Sequence, residues 1–227
     1  LGDGYELKSK NVFYHYEDYP NIKPFEEKGL WGAVLGEEIV VQPKYEITEV
    51  FEQKYIKAKI NEKWLLLDQR GKEIIPPKYD DVSNIDRGTK SVFYVVKDEK
   101  IGIVNKQGEE ITPIDYDVIS EGEKEVFVLT QGDLRGVLFK QKILVPSIYE
   151  NINGYGLKIG QYKNMKPGRR YYNAQRDGKK YVLDDQGNEY ELEETEIQSI
   201  RKALLHGMSA PKYSIKQETA RKVSLDE

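Results

Sequence analysis

The segment 160–180, GQYKNMKPGRRYYNAQRDGKK, concentrates positive charge in a chain of net charge −4, and Asp177 is its single acid. Guanidinium and ammonium groups pair with phosphates or carboxylates, while interleaved tyrosine rings stack on bases or sugars. The segment is therefore a candidate contact site for an acidic partner. The candidate residues are Arg169, Arg170, Tyr171, Tyr172, Arg176, Lys179 and Lys180. A solvated hairpin with turns at KPG and RDGK is the structural alternative.

A second pattern is a tyrosine followed by an acid, which occurs four times: Tyr45-Glu46, Tyr79-Asp80, Tyr116-Asp117 and Tyr149-Glu150. A row of carboxylates could bind cations or line a sugar track. Alternatively, the rings pack between layers with the hydroxyl at a polar edge, and the acids cap the following turns. Recurrence in every copy favours the architectural interpretation, because every copy must stack on its neighbours.

Known catalytic motifs are missing from the sequence. Its histidines are His15 and His206, it has no cysteine, and it contains no G-x-S-x-G, H-E-x-x-H or P-loop sequence. We therefore assign no catalytic residue, no metal ligand and no cofactor, and expect a non-enzymatic protein. A glycan-active enzyme stays open as the alternative, because 39 acids could hide a catalytic carboxylate pair.

Composition limits the partners. With 39 acidic and 35 basic residues in 227, the chain has no overall attraction to nucleic acid, so we expect a protein or glycan partner. No apolar run reaches the roughly 20 residues needed to span a bilayer, and no targeting segment is visible. The oligomeric state and the compartment stay open, including an extracytoplasmic location if a signal has been removed.

The recurring tyrosine–acid pairs belong to an internal sequence repeat. The four tyrosines are spaced at 34, 37 and 33 residues. Each copy contains an apolar run, a turn with a glycine such as Gly71 or Gly108, a second run ending at a proline such as Pro76, a looser loop, and a third apolar run. This pattern predicts an all-β array of about five three-stranded repeats, solenoid-like, with a propeller as the alternative.

Three segments resemble the WG-repeat, or KWG-repeat, β-units of bacterial proteins: LWG at 30–32, KWLLLDQRGKEIIPPKYDDV at 63–82 and KIGIVNKQGEEITPIDYDVI at 100–119. Trp31 and Gly32 keep the Trp-Gly pair, whereas Trp64 is followed by Leu65. The resemblance extends over about residues 10–195. It implies a binding or scaffolding array and supplies no catalytic residue set.

The end of the chain differs from the repeats. TEIQSIRKALLHG at 195–207 has a capping box, an apolar stripe and a terminal glycine, which predict an amphipathic helix. We therefore expect a WG-like β-repeat domain over 1–194, a capping helix over 195–207 and a mobile polar tail over 208–227.

Overall fold

The protein is all-β in the computed structural model, which describes residues 21–84, 92–122, 125–153, 165–194, 213–216 and 220–225. The strands of this part form five antiparallel sheets and no closed barrel. The all-β prediction is confirmed. The part of the chain described contains no helix that could cross a membrane.

Sheets one to three follow the chain in order. The first contains β1 (Ile22–Glu27), β2 (Leu30–Leu35) and β3 (Glu38–Tyr45). The second contains β4 (Ile47–Phe51), β5 (Tyr55–Ile60), β6 (Lys63–Asp68) and β7 (Glu73–Tyr79). The third contains β8 (Asp81–Asn84), β9 (Val92–Lys97) and β10 (Lys100–Asn105), followed by isolated bridges at Glu110 and Tyr116 in place of a fourth strand.

Sheets four and five complete the array. The fourth contains β11 (Val118–Glu121), β12 (Val126–Gln131), β13 (Leu134–Phe139) and β14 (Lys142–Tyr149). The fifth contains β15 (Asn151–Ile152), β16 (Tyr171–Arg176), β17 (Lys179–Asp184), β18 (Asn188–Glu194), β19 (Tyr213–Ile215) and β20 (Arg221–Lys222).

The second and fourth sheets have four strands, one more than the three predicted for each repeat, whereas the first and third have three. The segment after each tyrosine, predicted as a loose loop, is an edge strand: β7 ends at Tyr79 and β8 begins at Asp81, which leaves one linking residue. These edge strands escaped detection because they are short. Each of β4, β8, β11 and β15 has a single buried residue, too few for a visible alternation of apolar and polar side chains.

Pro76 and Pro146 do not end their strands, contrary to the prediction. β7 runs through Pro76 and Pro77 and pairs with β6 again where Tyr79 lies opposite Trp64. The register shifts between these points, so the prolines lie in a β-bulge, where a missing N–H leaves no ladder position unpaired.

The core is divided into layers between consecutive sheets. β6 shows why: Leu65 and Leu67 pack towards the first sheet, whereas Leu66 packs towards the third. Successive strand residues point to opposite faces, so an uninterrupted apolar run serves two layers. Two further clusters join the third sheet to the fourth and the fourth to the fifth. A last one lies within the fifth sheet, where Tyr171, Val182 and Tyr190 pack with Ile215 of β19.

Part of the basic segment 160–180 belongs to the regular fifth sheet. β16 and β17 form the central hairpin of this sheet. The predicted helix at 195–207 lies outside the described residues. Within the predicted tail, β19 and β20 both pair with β18, and Ile215 and Val223 are buried.

Candidate functional site

The recurring tyrosines are buried links between repeats. Tyr45, Tyr79, Tyr116 and Tyr149 are at most 6% exposed. The Tyr79 hydroxyl donates to Glu110 Oε1 at 3.1 Å, and the Tyr149 hydroxyl donates to Glu189 Oε2 at 2.7 Å. Each glutamate belongs to the following repeat, and burial raises the pKa of both phenols. These hydroxyls therefore hold neighbouring repeats together.

The acids behind two of these tyrosines cap the next hairpin. Asp80 accepts hydrogen bonds from Lys63 Nζ and, at 2.8 Å, from the backbone N–H of Asp98. Asp117 is bonded in the same way by Lys100 and by the backbone of Gly132. The lysine bond first, and the backbone bond second, lower the pKa of each carboxyl. The predicted turn capping is confirmed for these two positions.

The glycine of the Trp-Gly pair allows close approach to the proline bulge. A Cβ on Gly32 would lie 2.4 Å from the carbonyl oxygen of Val41, and one on Gly136 would lie 2.7 Å from that of Val145. The preceding Trp31 lies opposite Tyr45, as Trp64 lies opposite Tyr79. The motif is therefore explained by strand packing.

The predicted basic site is divided by the fold. Tyr171 and Tyr172 are each 1% exposed and belong to different core clusters, on opposite faces of β16. Arg169 Nη1 lies 3.3 Å from Asp185 and 3.7 Å from Asp184, while Arg176 Nη2 lies 3.1 Å from Glu189. These rings and guanidiniums thus contribute to the fifth sheet itself.

The remaining members of that set lie further out. The Arg170 guanidinium sits 5.3 Å from the centre of the Phe139 ring, in the fourth sheet. Lys179 and Lys180 are exposed at the start of β17. Of the seven candidate residues, Lys180 lines one of the two clefts described next.

Two clefts open at the edge-strand side of the last two sheets. The fifth-sheet cleft has a volume of about 340 Å³ and is lined by Asn151, Asn153, Asn173, Ala174, Gln175, Lys180, Tyr181 and Leu192. The fourth-sheet cleft, of about 410 Å³, is lined by Val118, Ser120, Glu121, Gly122, Val128, Thr130, Arg135, Ile152 and Asn153. Asn153 lines both, so the clefts are adjacent.

The two clefts occupy equivalent positions in consecutive repeats, as the strand register shows. One row across the strands consists of Val118, Thr130 and Arg135 in the fourth sheet, and of Asn151, Gln175 and Lys180 in the fifth. The next row pairs Ser120 with Val128 in the fourth sheet, and Asn153 with Asn173 in the fifth. Equivalent positions in the strand register therefore carry side chains of different chemical types in the fourth and fifth sheets.

The second and third sheets fill this position with their own side chains. Lys57, the counterpart of Val128 and Asn173, lies with Nζ 2.8 Å from Asp81 and 4.2 Å from the centre of the Trp64 ring. In the third sheet Tyr94 takes that place, and burial raises its pKa to about 12. A bulky side chain therefore occupies this position in these two repeats, where the last two carry Val128 and Asn173.

Sequence reasoning missed the cleft because its residues form no motif. They become visible when the copies are aligned on their tyrosines and the positions that differ are sought; ENIN at 150–153 and YNAQ at 172–175 then stand out as rich in amides. Such amides can bind hydroxyl-rich or peptide ligands. Among the residues described, no cluster of three or more metal-ligating side chains is placed to hold an ion.

The fold and its repeated positions define a β-repeat protein. The family model of the WG containing repeat matches residues 36–64, 66–100 and 101–122. This stretch of the chain therefore consists of WG containing repeats, and the resemblance seen in the sequence is confirmed. Searches of curated proteins and of solved structures found no match.

Proposed function

We propose that the protein is a non-enzymatic repeat module that binds a protein or glycan partner through the adjacent clefts of the fourth and fifth sheets. The observation that carries this proposal is the register equivalence of the two clefts. The same position is closed by Lys57 and Tyr94 in earlier repeats. A constant framework with one varied surface position is the arrangement by which repeat proteins recognise extended partners.

The domain organisation we propose supports such a surface. Each core cluster between sheets joins consecutive ones, which favours an open, solenoid-like array over a closed propeller. We keep residues 1–194 as the repeat domain, extended by β19 and β20, and 195–207 as a capping helix. An open array leaves the edge-strand side of its repeats accessible along its length.

The shifted carboxyl groups favour binding over catalysis. Asp80, Glu110, Asp117 and Asp184 all have lowered pKa values, through lysine bonds in the first three and through hydrogen bonds from Asn188 and neighbouring groups in the fourth, where they outweigh the opposing effect of burial. The general acid of a glycoside hydrolase needs a raised pKa so that it can hold a proton. These four groups are therefore unsuited to the general-acid role that the enzyme alternative requires.

The proposal can be tested by closing each cleft with the residue that closes the third sheet. Val128→Tyr and Asn173→Tyr introduce the equivalent of Tyr94 into the fourth and fifth sheets. Lys106→Ala, in an exposed turn, serves as the control. We expect a ligand found by thermal shift in a panel of peptides and glycans to raise the midpoint of the wild type and of the control.

In the two tyrosine variants that shift should be lost, while the unliganded midpoint changes little. If a ligand binds all four proteins equally, the binding surface lies elsewhere and the proposal is wrong. If no member of the panel binds, the proposal fails as well.

A further inference from the structure

We infer that one face of the first sheet binds the same face of a second copy of this chain, which gives a two-fold symmetric dimer. This face is formed by alternate residues of β1 and β2 and is called the outer face below. Its residues are Lys23, Phe25, Glu27, Leu30, Gly32 and Val34. The surface is separate from the two clefts, so the inference does not depend on the proposed function.

The outer face occupies the register positions by which each later sheet stacks on the sheet before it. The counterparts of its apolar residues in the other sheets are at most 5% exposed, and each belongs to a core cluster shared with the preceding sheet. The counterparts of Val34 are Leu67, Val104, Leu138 and Leu183, and those of Phe25 are Ala58, Val95, Leu129 and Ala174. The outer face is therefore a stacking surface.

This stacking surface is open in the first sheet. Leu30 is 43% exposed, and Ile39, which lies opposite Val34 in the register, is 49% exposed. Phe25 and Val34 are half-buried, and none of these four belongs to a core cluster in the part of the chain that the structure describes. Apolar side chains exposed together on one sheet face indicate an interaction surface.

Glycine at position 32 keeps the centre of the outer face apolar. A Cβ there would lie 3.0 Å from Cε1 of Phe25, so the phenylalanine ring lies over Gly32. The two residues are register partners in the middle of β1 and β2. One aromatic ring thus covers the width of two strands at the centre of the face.

One charged residue limits what can bind to the outer face. Lys23 occupies the register position that is filled in the later sheets by the buried Ile56, Phe93, Phe127 and Tyr172. An ammonium group enclosed between two sheets is unfavourable unless a carboxylate is placed beside it. The surface that covers this face must therefore combine apolar side chains with an acid opposite Lys23.

A second copy of the outer face meets both requirements. The register sets three rows across β1 and β2: Lys23 with Val34, Phe25 with Gly32, and Glu27 with Leu30. A two-fold axis along the middle row exchanges the two outer rows. Lys23 then meets Glu27 of the second copy, and Val34 meets its Leu30. Each contact occurs twice, as in any two-fold interface.

Glu27 can form this contact at little cost. Its present ionic neighbour is Lys28, whose Nζ lies 4.0 Å from Glu27 Oε1, and the two side chains are 60% and 89% exposed. An ion pair so exposed contributes little, so its replacement by Lys23 of the second copy is not opposed.

The size of the outer face predicts a weak dimer. The three strands of the first sheet have six to eight residues each. With about 3.3 Å per residue and about 4.8 Å between strands, the face measures roughly 20 Å by 14 Å. This is about 300 Å² per chain, below the roughly 800 Å² per partner of a standard stable interface. We therefore expect association that depends on protein concentration.

Sedimentation equilibrium of the full chain tests the inference. Between about 1 µM and about 1 mM, the average mass should rise from that of one chain towards twice that value. Lys23→Glu and Glu27→Lys should each weaken the dimer by at least about tenfold, because each replaces two attractive pairs by two repulsive ones. Lys106→Glu makes the same charge change in an exposed turn outside the first sheet and should have no effect.

The combined variant Lys23→Glu/Glu27→Lys is the decisive one. It restores both ion pairs with reversed polarity, so it should dimerise within about threefold of the wild type. Both residues are exposed, and thermal denaturation of each variant checks that the fold is retained.

Three outcomes would overturn the inference. A dimer in which the combined variant is as weak as the single ones would show that Lys23 does not face Glu27 across a two-fold axis. A chain that stays monomeric over the whole range would show that a second copy does not bind this face. If Val34→Asp also lowers the melting midpoint of that monomer, another segment of the same chain covers the outer face.

Discussion

The second and fifth sheets carry different side chains on the same strand register. In the second, Lys57 fills the edge-strand side by bonding to Asp81 and lying over the Trp64 ring. In the fifth, the counterpart of Lys57 is Asn173, and a cleft of about 340 Å³ opens there. The backbone is therefore not what makes the cleft. One side-chain position, varied from copy to copy, decides whether a repeat is closed.

The contacts by which repeats stack are, in contrast, alike in different sheets. Tyr79 and Tyr149, which end the second and the fourth sheet, are buried and bond to a glutamate of the next repeat. Gly71 and Gly187 approach the carbonyl oxygens of Val40 and Leu144 in the preceding repeat. Contacts between repeats are alike in the copies that carry these residues because the stacking geometry is the same, whereas the edge-strand side meets no such constraint.

The largest effect on stability is expected at the buried tyrosines that recur in the repeats. Tyr79→Ala should lower the free energy of unfolding by about 3–5 kcal/mol, because it empties a fully buried ring site between two sheets. Urea denaturation measures this change. A variant with unaltered stability that no longer binds ligand would show that the tyrosines belong to the varied binding surface. The distinction between stacking positions and varied edge-strand positions would then be wrong.

The next prediction concerns two turn glycines that have the same φ angle but different surroundings. Gly29 and Gly108 both have φ of +81°, but a Cβ on Gly108 would lie 1.9 Å from the Ile74 carbonyl oxygen, whereas one on Gly29 would meet nothing within 4 Å. Gly29→Ala should cost about 1–2 kcal/mol of stability through backbone strain. Gly108→Ala should cost about 1–3 kcal/mol more through the clash with the neighbouring repeat. Equal losses of stability in thermal denaturation would show that these turn glycines are required only for their positive φ angle and not for the close approach to the neighbouring repeat.

A third prediction compares the edge-strand side of the second sheet, which Lys57 fills, with that of the fifth sheet, where the cleft lies. Lys57→Ala should destabilise the protein by about 1–2 kcal/mol, since it removes the contact with the Trp64 ring and the ion pair with Asp81. Gln175→Ala, in the open cleft of the fifth sheet, should change stability by no more than about 0.5 kcal/mol. If Gln175→Ala is the more destabilising of the two in chemical denaturation, the fifth-sheet amides are part of the framework.

The smallest expected effect is a pH dependence from the third sheet. Burial, with a smaller contribution from Glu121, raises the pKa of Tyr94 to about 12 from an ordinary value of 10.0. Between these values the unfolded chain ionises the phenol and the folded protein does not. The contribution of Tyr94 to stability is therefore complete below pH 10 and is lost as the pH rises towards 12.

Tyr94→Phe should accordingly reduce the loss of stability between pH 10 and 12 and have little effect at pH 7. Denaturation at several pH values, together with ultraviolet titration of the phenols, measures both. An unchanged alkaline slope in the variant would mean that Tyr94 is open to solvent in its native environment, and that the third sheet is not closed in the way that the second is.

Much of the fold could be predicted from the sequence, because the repeat is long and its strongest signals are local. The tyrosines, the turn glycines and the apolar runs recur at one spacing, and each requires a particular neighbour or backbone angle. The edge strands and the strand continuation past Pro76 could not be predicted in this way. β15 has two residues and one buried side chain, so its assignment depends on pairing with β16 across a chain separation that no local pattern records.

The candidate site was harder to predict. The density of basic residues at 160–180 pointed to an exposed projection, but Tyr171 and Tyr172 alternate into two core layers, and Arg169 and Arg176 lie beside carboxylates brought from β17, β18 and the turn between them. A count of charges cannot show which of them face acids in the folded chain. Of that set, Lys180 lies at one of the two clefts described.

The sequence by itself determined the strand class, the repeat period, the buried tyrosines and the family, since these depend on residue type and on spacing along the chain. Only the tertiary structure decided which edge-strand positions are filled and which are open. That outcome depends on the side chain that a neighbouring strand or the next repeat places beside each position, as Asp81 is placed beside Lys57 and Arg135 beside Asn151. Such contacts join residues 16 to 24 positions apart, and they form only when the sheets stack.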